Sequence, residues 1–84
     1  MTIAFDEQAF KDYQEWTTVN KKTFKKIGTI IADICRSPFT GLGKPEPLKQ
    51  DLSGYWSRRI DQEHRLVYKV EKETIYIISC KYHY

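Results

Sequence analysis

The chain has 84 residues, enough for one modest hydrophobic core with little reserve of stability, so a single domain over 1–84 is expected. Its 14 Lys and Arg against 11 Asp and Glu give a formal charge of +3, which permits an anionic partner without demanding one. No apolar run reaches the roughly 18 residues of a membrane span, the first residues lack the basic start and apolar core of a signal peptide, and Cys35 and Cys80 belong to no metal-type spacing, so the expectation is a cytoplasmic chain with no membrane, no metal and no cofactor.

Thr2 to Phe5 reads as a short first strand. Asp6 is a helix N-cap, with Phe5 and Phe10 at the staple positions on either side. Ala9, Tyr13 and Trp16 recur at helical spacing and predict a helix from about 7 to 17. Asn20 is a second N-cap, followed by Phe24, Ile27, Ile31 and Ile34 in an i, i+3, i+7, i+10 stripe. Lys21, Lys22, Lys25 and Lys26 crowd the start of that helix, where the macrodipole disfavours cations. A solvated face is the ordinary reading of such a cluster; a contact with an RNA backbone or a partner is the other. Pro38 ends the helix, because the residue before a proline is pushed out of the helical region.

Residues 37–47 hold all three prolines and two of the four glycines. Beyond them the pattern is β: a short strand Leu48–Leu52, a turn at Ser53-Gly54, a strand Tyr55–Ile60, a turn at 61–63, a strand His64–Val70, a turn at 71–73 and a last strand Thr74–Cys80. Helices first and consecutive antiparallel strands afterwards indicate an α+β domain with both helices on one face of the sheet.

The turn at 61–63 permits a register. If Ile60 pairs with His64, Arg59 falls directly opposite Arg65 on one face, an arrangement of like charges that a sheet avoids and that function can require. The alternative is that each arginine pairs with Asp61 or Glu63. Leu66, Tyr68 and Val70 then point to the core. Treating the next hairpin the same way puts Tyr76, Ile78 and Cys80 with that core and His83 on the arginine face; an even-length loop would undo this. His64, a lone histidine on a core-facing strand, reads as structural.

Glu46 stands between Pro45 and Pro47, where the backbone has little freedom, and Lys44 and Lys49 surround it with positive charge. Such a carboxylate is a candidate general base, although Pro-Glu-Pro is equally the composition of a stiff, exposed linker. The tail Lys81-Tyr82-His83-Tyr84 runs on directly from the last strand, so the sheet is placed to hold it. An imidazole held near arginines is a plausible proton donor to a phosphate ester. One carboxylate base, one imidazole acid and several cations are what RNA cleavage through the ribose 2′-hydroxyl needs. DNA lacks that hydroxyl. No phosphate-binding glycine loop, zinc spacing or nucleophile elbow competes.

Four ordered segments carry a resemblance: Gly-Lys-Pro-Glu-Pro-Leu-Lys (43–49), Leu-Ser-Gly-Tyr-Trp-Ser-Arg-Arg-Ile (52–60), Glu-His-Arg-Leu-Val-Tyr (63–68) and Tyr-His-Tyr (82–84). Together they resemble the YoeB/Txe toxins of the RelE superfamily of bacterial type II toxin–antitoxin systems, over essentially the whole chain. The resemblance implies a RelE-like microbial ribonuclease fold, two helices packed on a mainly antiparallel sheet. It implies ribosome-dependent, metal-independent cleavage of mRNA in the ribosomal A site. Glu46 would be the general base, His83 the general acid and Arg65 the main phosphate stabiliser. Lys44, Lys49 and Arg59 would support substrate or transition state, and Tyr84 would orient the scissile nucleotide. It also implies a YefM/Axe-type antitoxin whose disordered segment folds over the toxin, and a possible homodimer. A non-cleaving inhibitor that blocks translation initiation or occupies the A site is the alternative reading. One geometric demand follows. His83 lies several residues past the position opposite Arg65, over about 10 Å along a strand, so the tail is expected to bend out of the strand.

Overall fold

Asp6 and Asn20 fix where the two helices begin. In the computed structural model, which describes residues 1–82, α1 (Glu7–Val19) is capped by Asp6, whose carboxylate accepts the Gln8 N–H, and α2 (Lys21–Arg36) by Asn20, whose side chain accepts the Thr23 N–H. Phe5 and Phe10 meet edge-on at 5.9 Å across the first cap, the expected staple. The helices share one apolar seam. Ala9 and Trp16 of α1 and Ile27, Ile30, Ile31 and Ile34 of α2 are all buried.

Five strands lie beneath them: β1 (Thr2–Phe5), β2 (Glu46–Pro47), β3 (Trp56–Arg59), β4 (Arg65–Glu71) and β5 (Thr74–Ser79), in the order β1-β5-β4-β3-β2. The pairings are antiparallel except for β1 against β5, which is parallel. Leu66 and Tyr68 of β4 and Ile75 and Ile77 of β5 close the core from the sheet side. The α+β architecture expected from the sequence is thus the observed one.

Two local expectations need correction. Leu48–Leu52 is not a strand. Only Glu46 and Pro47 pair with β3, after which Gln50 takes a left-handed φ of 58° and residues 50–52 coil into a 3₁₀ turn. A proline-bearing strand belongs at a sheet edge and is short. The second correction concerns β5. The turn into it has two residues, Lys72 and Glu73, both at positive φ (48° and 64°), the left-handed geometry that suits the twist of a hairpin. Val70 therefore pairs with Ile75, and Ile75 and Ile77 face the core while Tyr76 is exposed. A bulge opposite Val67/Tyr68 then inserts one residue, Ile78, and reverses the alternation. Cys80 thereby regains the core face expected of it. Its burial pushes the thiol up to about 12, so it behaves as a small buried hydrophobe.

The first hairpin has the expected register. The Ile60 N–H donates to the His64 carbonyl at 2.9 Å, and Arg59 sits opposite Arg65.

Candidate active site

Glu46 arrives at the sheet on a connector folded around one side chain. Arg58 points to the core side of β3 and is fully buried. Its Nε donates to the Tyr68 hydroxyl (3.1 Å). Nη1 donates to Asp33 Oδ2 (2.6 Å) and the Leu42 carbonyl (3.2 Å), and Nη2 to the carbonyls of Ser37 (2.5 Å) and Thr40 (2.9 Å). All the donors of the guanidinium are thereby used, the condition for a buried charge to be tolerated. Asp33 also accepts from Arg36 (2.8 Å) and the Leu42 N–H (3.0 Å). Arg36, Leu42 and Arg58 together hold its carboxyl well below the usual carboxylate range.

The connector is pressed close against this hub, which explains two of its glycines. Gly41 (φ +118°) has no room for a Cβ, which would stand 2.2 Å from Asp33 Oδ2. At Gly43 (φ +77°) a Cβ would lie 2.7 Å from the Arg59 carbonyl oxygen, and the Gly43 carbonyl accepts the Arg59 N–H at 2.6 Å. The chain leaves this clamp through Lys44, itself left-handed at φ 52°, and enters β2 with Glu46 opposite Ser57.

This path sets Glu46 over the arginine face. Lys44, Glu46, Ser57, Arg59 and Arg65 line one open cleft of about 350 Å³. Arg65 is half-buried, and its Nη1 is tethered to the carbonyls of Asp61 (2.7 Å) and His64 (3.1 Å). Carbonyl tethers fix the side chain without neutralising it. The ion pairs weighed from the sequence do not form. Asp61 instead caps its own turn, accepting the N–H groups of Glu63 (2.8 Å) and His64 (2.7 Å), and the Glu63 carboxylate lies 3.6 Å from His64 Nε2. Among the described residues Lys44, Arg59 and Arg65 have no acidic partner, so three positive charges face one carboxylate. Such a cleft attracts an anionic group and holds a base beside it. Lys49 is exposed and lies outside the cleft lining.

The approach to the tail is also built. Chain pairing ends at Ser79, and three bonds then guide the backbone. Trp16 Nε1 donates to the Cys80 carbonyl (3.1 Å), the Tyr82 N–H donates to His64 Nδ1 (2.8 Å), and the Arg65 N–H donates to the Tyr82 carbonyl (2.8 Å). Tyr82 takes a left-handed φ of 62° between the last two. His64 is buried against Trp16 in a T-shaped arrangement, with ring centroids 4.9 Å apart, so its structural reading holds, with the added task of anchoring the tail. His83 and Tyr84, the expected acid and orienting residue, lie outside the described residues. Replacing His64 with leucine is expected to cost about 1–3 kcal/mol, because the Tyr82 N–H loses its acceptor. Urea denaturation reads this directly, and an unchanged midpoint would mean that the anchor contributes nothing.

Sequence reasoning missed Arg58 and Asp33. A signal existed, since Asp33 interrupts the apolar stripe of α2 and Arg58 alternates onto the core side of β3. Two opposite charges on facing buried surfaces imply each other.

Comparison with known proteins places this geometry among relatives. A family model described as YoeB-like toxin of bacterial type II toxin–antitoxin system matches residues 5–84. The Toxin YoeB of Streptomyces coelicolor is 54% identical over 84 residues, covering 100% of both chains. Among solved structures, a YoeB–YefM complex from Staphylococcus aureus matches with a TM-score of 0.93 at 52% identity, covering 100% of this chain and 98% of that one. A YoeB dimer from the same organism matches with a TM-score of 0.94 at 50% identity and the same coverage.

Proposed function

The chain belongs to the YoeB-like toxin family of bacterial type II toxin–antitoxin systems, and from that premise we propose that it is a ribosome-dependent endoribonuclease that cuts mRNA in the A site. The observation that carries the reading is the cleft in which Glu46 faces Lys44, Arg59 and Arg65. Glu46 takes the proton of a ribose 2′-hydroxyl. The freed oxygen attacks the adjacent phosphorus, and the bond from phosphorus to the 5′-oxygen breaks. His83 protonates that leaving oxygen, giving a 2′,3′-cyclic phosphate and a 5′-hydroxyl end. Arg65 and Arg59 offset the negative charge that builds on the phosphoryl oxygens, usually the largest single contribution to such catalysis. Lys44 and Lys49 hold the flanking backbone and Tyr84 orients the scissile nucleotide. The chain's own side chains supply each proton transfer.

In the cell we assign the protein a cytoplasmic antitoxin partner of the YefM/Axe type and the capacity to form a homodimer. The relatives solved as a YoeB–YefM complex and as a YoeB dimer support both assignments. A disordered antitoxin segment that folds over the cleft inhibits by covering Glu46 and the arginines.

The test is end-labelled mRNA on ribosomes with a vacant A site. One A-site cut leaving a 5′-hydroxyl is expected, abolished when the cleaved nucleotide carries a 2′-deoxyribose. Translation arrest without a cut, equal for ribose and deoxyribose messages, would replace the nuclease with a non-cleaving inhibitor of initiation.

A further inference from the structure

Beside the cleft lies a second, more open groove of about 510 Å³, and the two share Lys44, Arg59 and Arg65. The second groove runs on past the turn at Asp61 and Gln62 to Lys26 of α2. Lys22 stands one helical turn before Lys26 on the same face of α2, and both are exposed. Among the described residues neither has an acidic partner within ion-pair distance. Asp61, the acid in the groove, has its Oδ1 committed to the N–H groups of Glu63 and His64. The result is a mainly cationic surface, broken by Asp61, from the cleft to Lys26, with Lys22 beyond it at the start of a helix, where positive side chains are locally unfavourable. A local rule broken without a local gain points to a use.

Resting on the ribosome-directed reading above, we propose that Lys22 and Lys26, with the groove that joins them to Lys44 and Arg59, form a docking surface for the phosphate backbone of ribosomal RNA. Charge selects a polyanion. The lining selects RNA over an acidic protein segment, because the one apolar side chain in the groove among the described residues, Ile60, is 4% exposed and offers no pocket for an anchoring residue. An apolar groove of the kind a protein would use exists elsewhere, lined by Ile3, Phe5, Tyr13 and Ile31. Ribosomal RNA is preferred to the message because Lys22 and Lys26 lie on one face of a helix and outside the lining of the cleft that holds Glu46. Folded RNA presents a fixed array of phosphates to such a face. A surface of this kind supplies what free single-stranded mRNA lacks and so accounts for dependence on the ribosome.

The same helix provides its own control. Lys21 and Lys25 lie on another side of α2, around a shallow hollow with Thr17 and Phe24. Lys22→Gln/Lys26→Gln and Lys21→Gln/Lys25→Gln therefore remove equal charge from one element. Binding to mRNA-free and mRNA-programmed ribosomes is measured by pelleting across about 0.05–0.3 M salt. The 22/26 pair is expected to bind both ribosome forms about tenfold more weakly, with a log K against log salt slope shallower by about 2. Its cleavage rate at saturating ribosome stays that of the intact protein, and the 21/25 pair behaves as the intact protein throughout. Equal losses for the two pairs would reduce the effect to net charge and overturn the proposal. Losses confined to programmed ribosomes would assign the surface to the message, and losses confined to antitoxin binding would assign it to a protein; either overturns it. An intact protein that binds ribosomes with this salt signature but never cuts removes the nuclease and keeps the surface. Normal cutting with an unaffected 22/26 variant removes the surface and keeps the nuclease.

Discussion

Glu46→Gln is expected to slow the cleavage step on the ribosome by about 10²- to 10⁴-fold, the range that loss of a positioned general base produces. Glutamine keeps the size of the side chain and its place in β2, and cannot take a proton. Glu46 is exposed and its backbone, not its carboxylate, holds β2 to β3, so the variant should fold and bind ribosomes as the intact protein does. Single-turnover cleavage at saturating ribosome isolates the chemical step from binding. A fall in kcat with an unchanged ribosome affinity supports Glu46 as the base. A kcat within about threefold of the intact protein would take the proton transfer away from Glu46 and leave the cations as the only part of the cleft at work.

Arg58→Met is expected to be the most destabilising of the conservative changes, by about 3–5 kcal/mol, since it removes the buried countercharge of Asp33, leaving that carboxylate only Arg36 and the Leu42 N–H, and takes the guanidinium donors from three connector carbonyls. A domain this small has total stability on the order of 5 kcal/mol, so a large fraction of the variant should be unfolded in water. Urea denaturation followed through Trp16 and Trp56 measures the change. Adding Asp33→Leu to Arg58→Met should recover part of the loss, because an apolar pair of similar volume has no charge to strand. A change below about 1 kcal/mol for Arg58→Met would mean that residues 37–45 hold their path without the guanidinium. The active-site consequence is indirect: the Arg58 guanidinium makes its hydrogen bonds to Tyr68, Asp33 and the connector and acts by fixing the connector that delivers Lys44 and Glu46.

Much of this was legible in the residues, and the failures have physical reasons. Asp6 and Asn20 cap the helices as their side chains require, and the loop 61–63 fixes Arg59 against Arg65 because one local turn sets one register. The β5 alternation is not legible in the sequence because two compensating irregularities act on it. A left-handed two-residue turn at Lys72-Glu73 shifts the faces, and the bulge at Ile78 shifts them back. Neither residue pair carries the glycine or asparagine that normally announces such geometry. The Arg58 hub was missed for a different reason. Its partners come from α2, β4 and the connector, and long-range polar contacts leave no periodicity in a sequence. Glu46 was identified as a rigid carboxylate, but its meeting with Arg59 and Arg65 depends on how that hub folds the connector.

The parallel pairing of β1 with β5 has a consequence for how the protein comes into being. β1 precedes the other strands, and its one strand neighbour among the described residues, β5, spans Thr74–Ser79. β5 in turn sits between β1 and β4, so the sheet has no second half until those residues exist. The strands that carry Glu46 and both arginines, β2 to β4, pair with one another without β5, but β1 has no strand to pair with until β5 has been made. Pairing of such distant segments is slow to form, and partly made chains expose unpaired strand edges in the meantime. Synthesis of the protein thus proceeds with its sheet open until β5 is made, and until then the strands that carry the cleft rest on a core that lacks Ile75, Ile77 and Cys80.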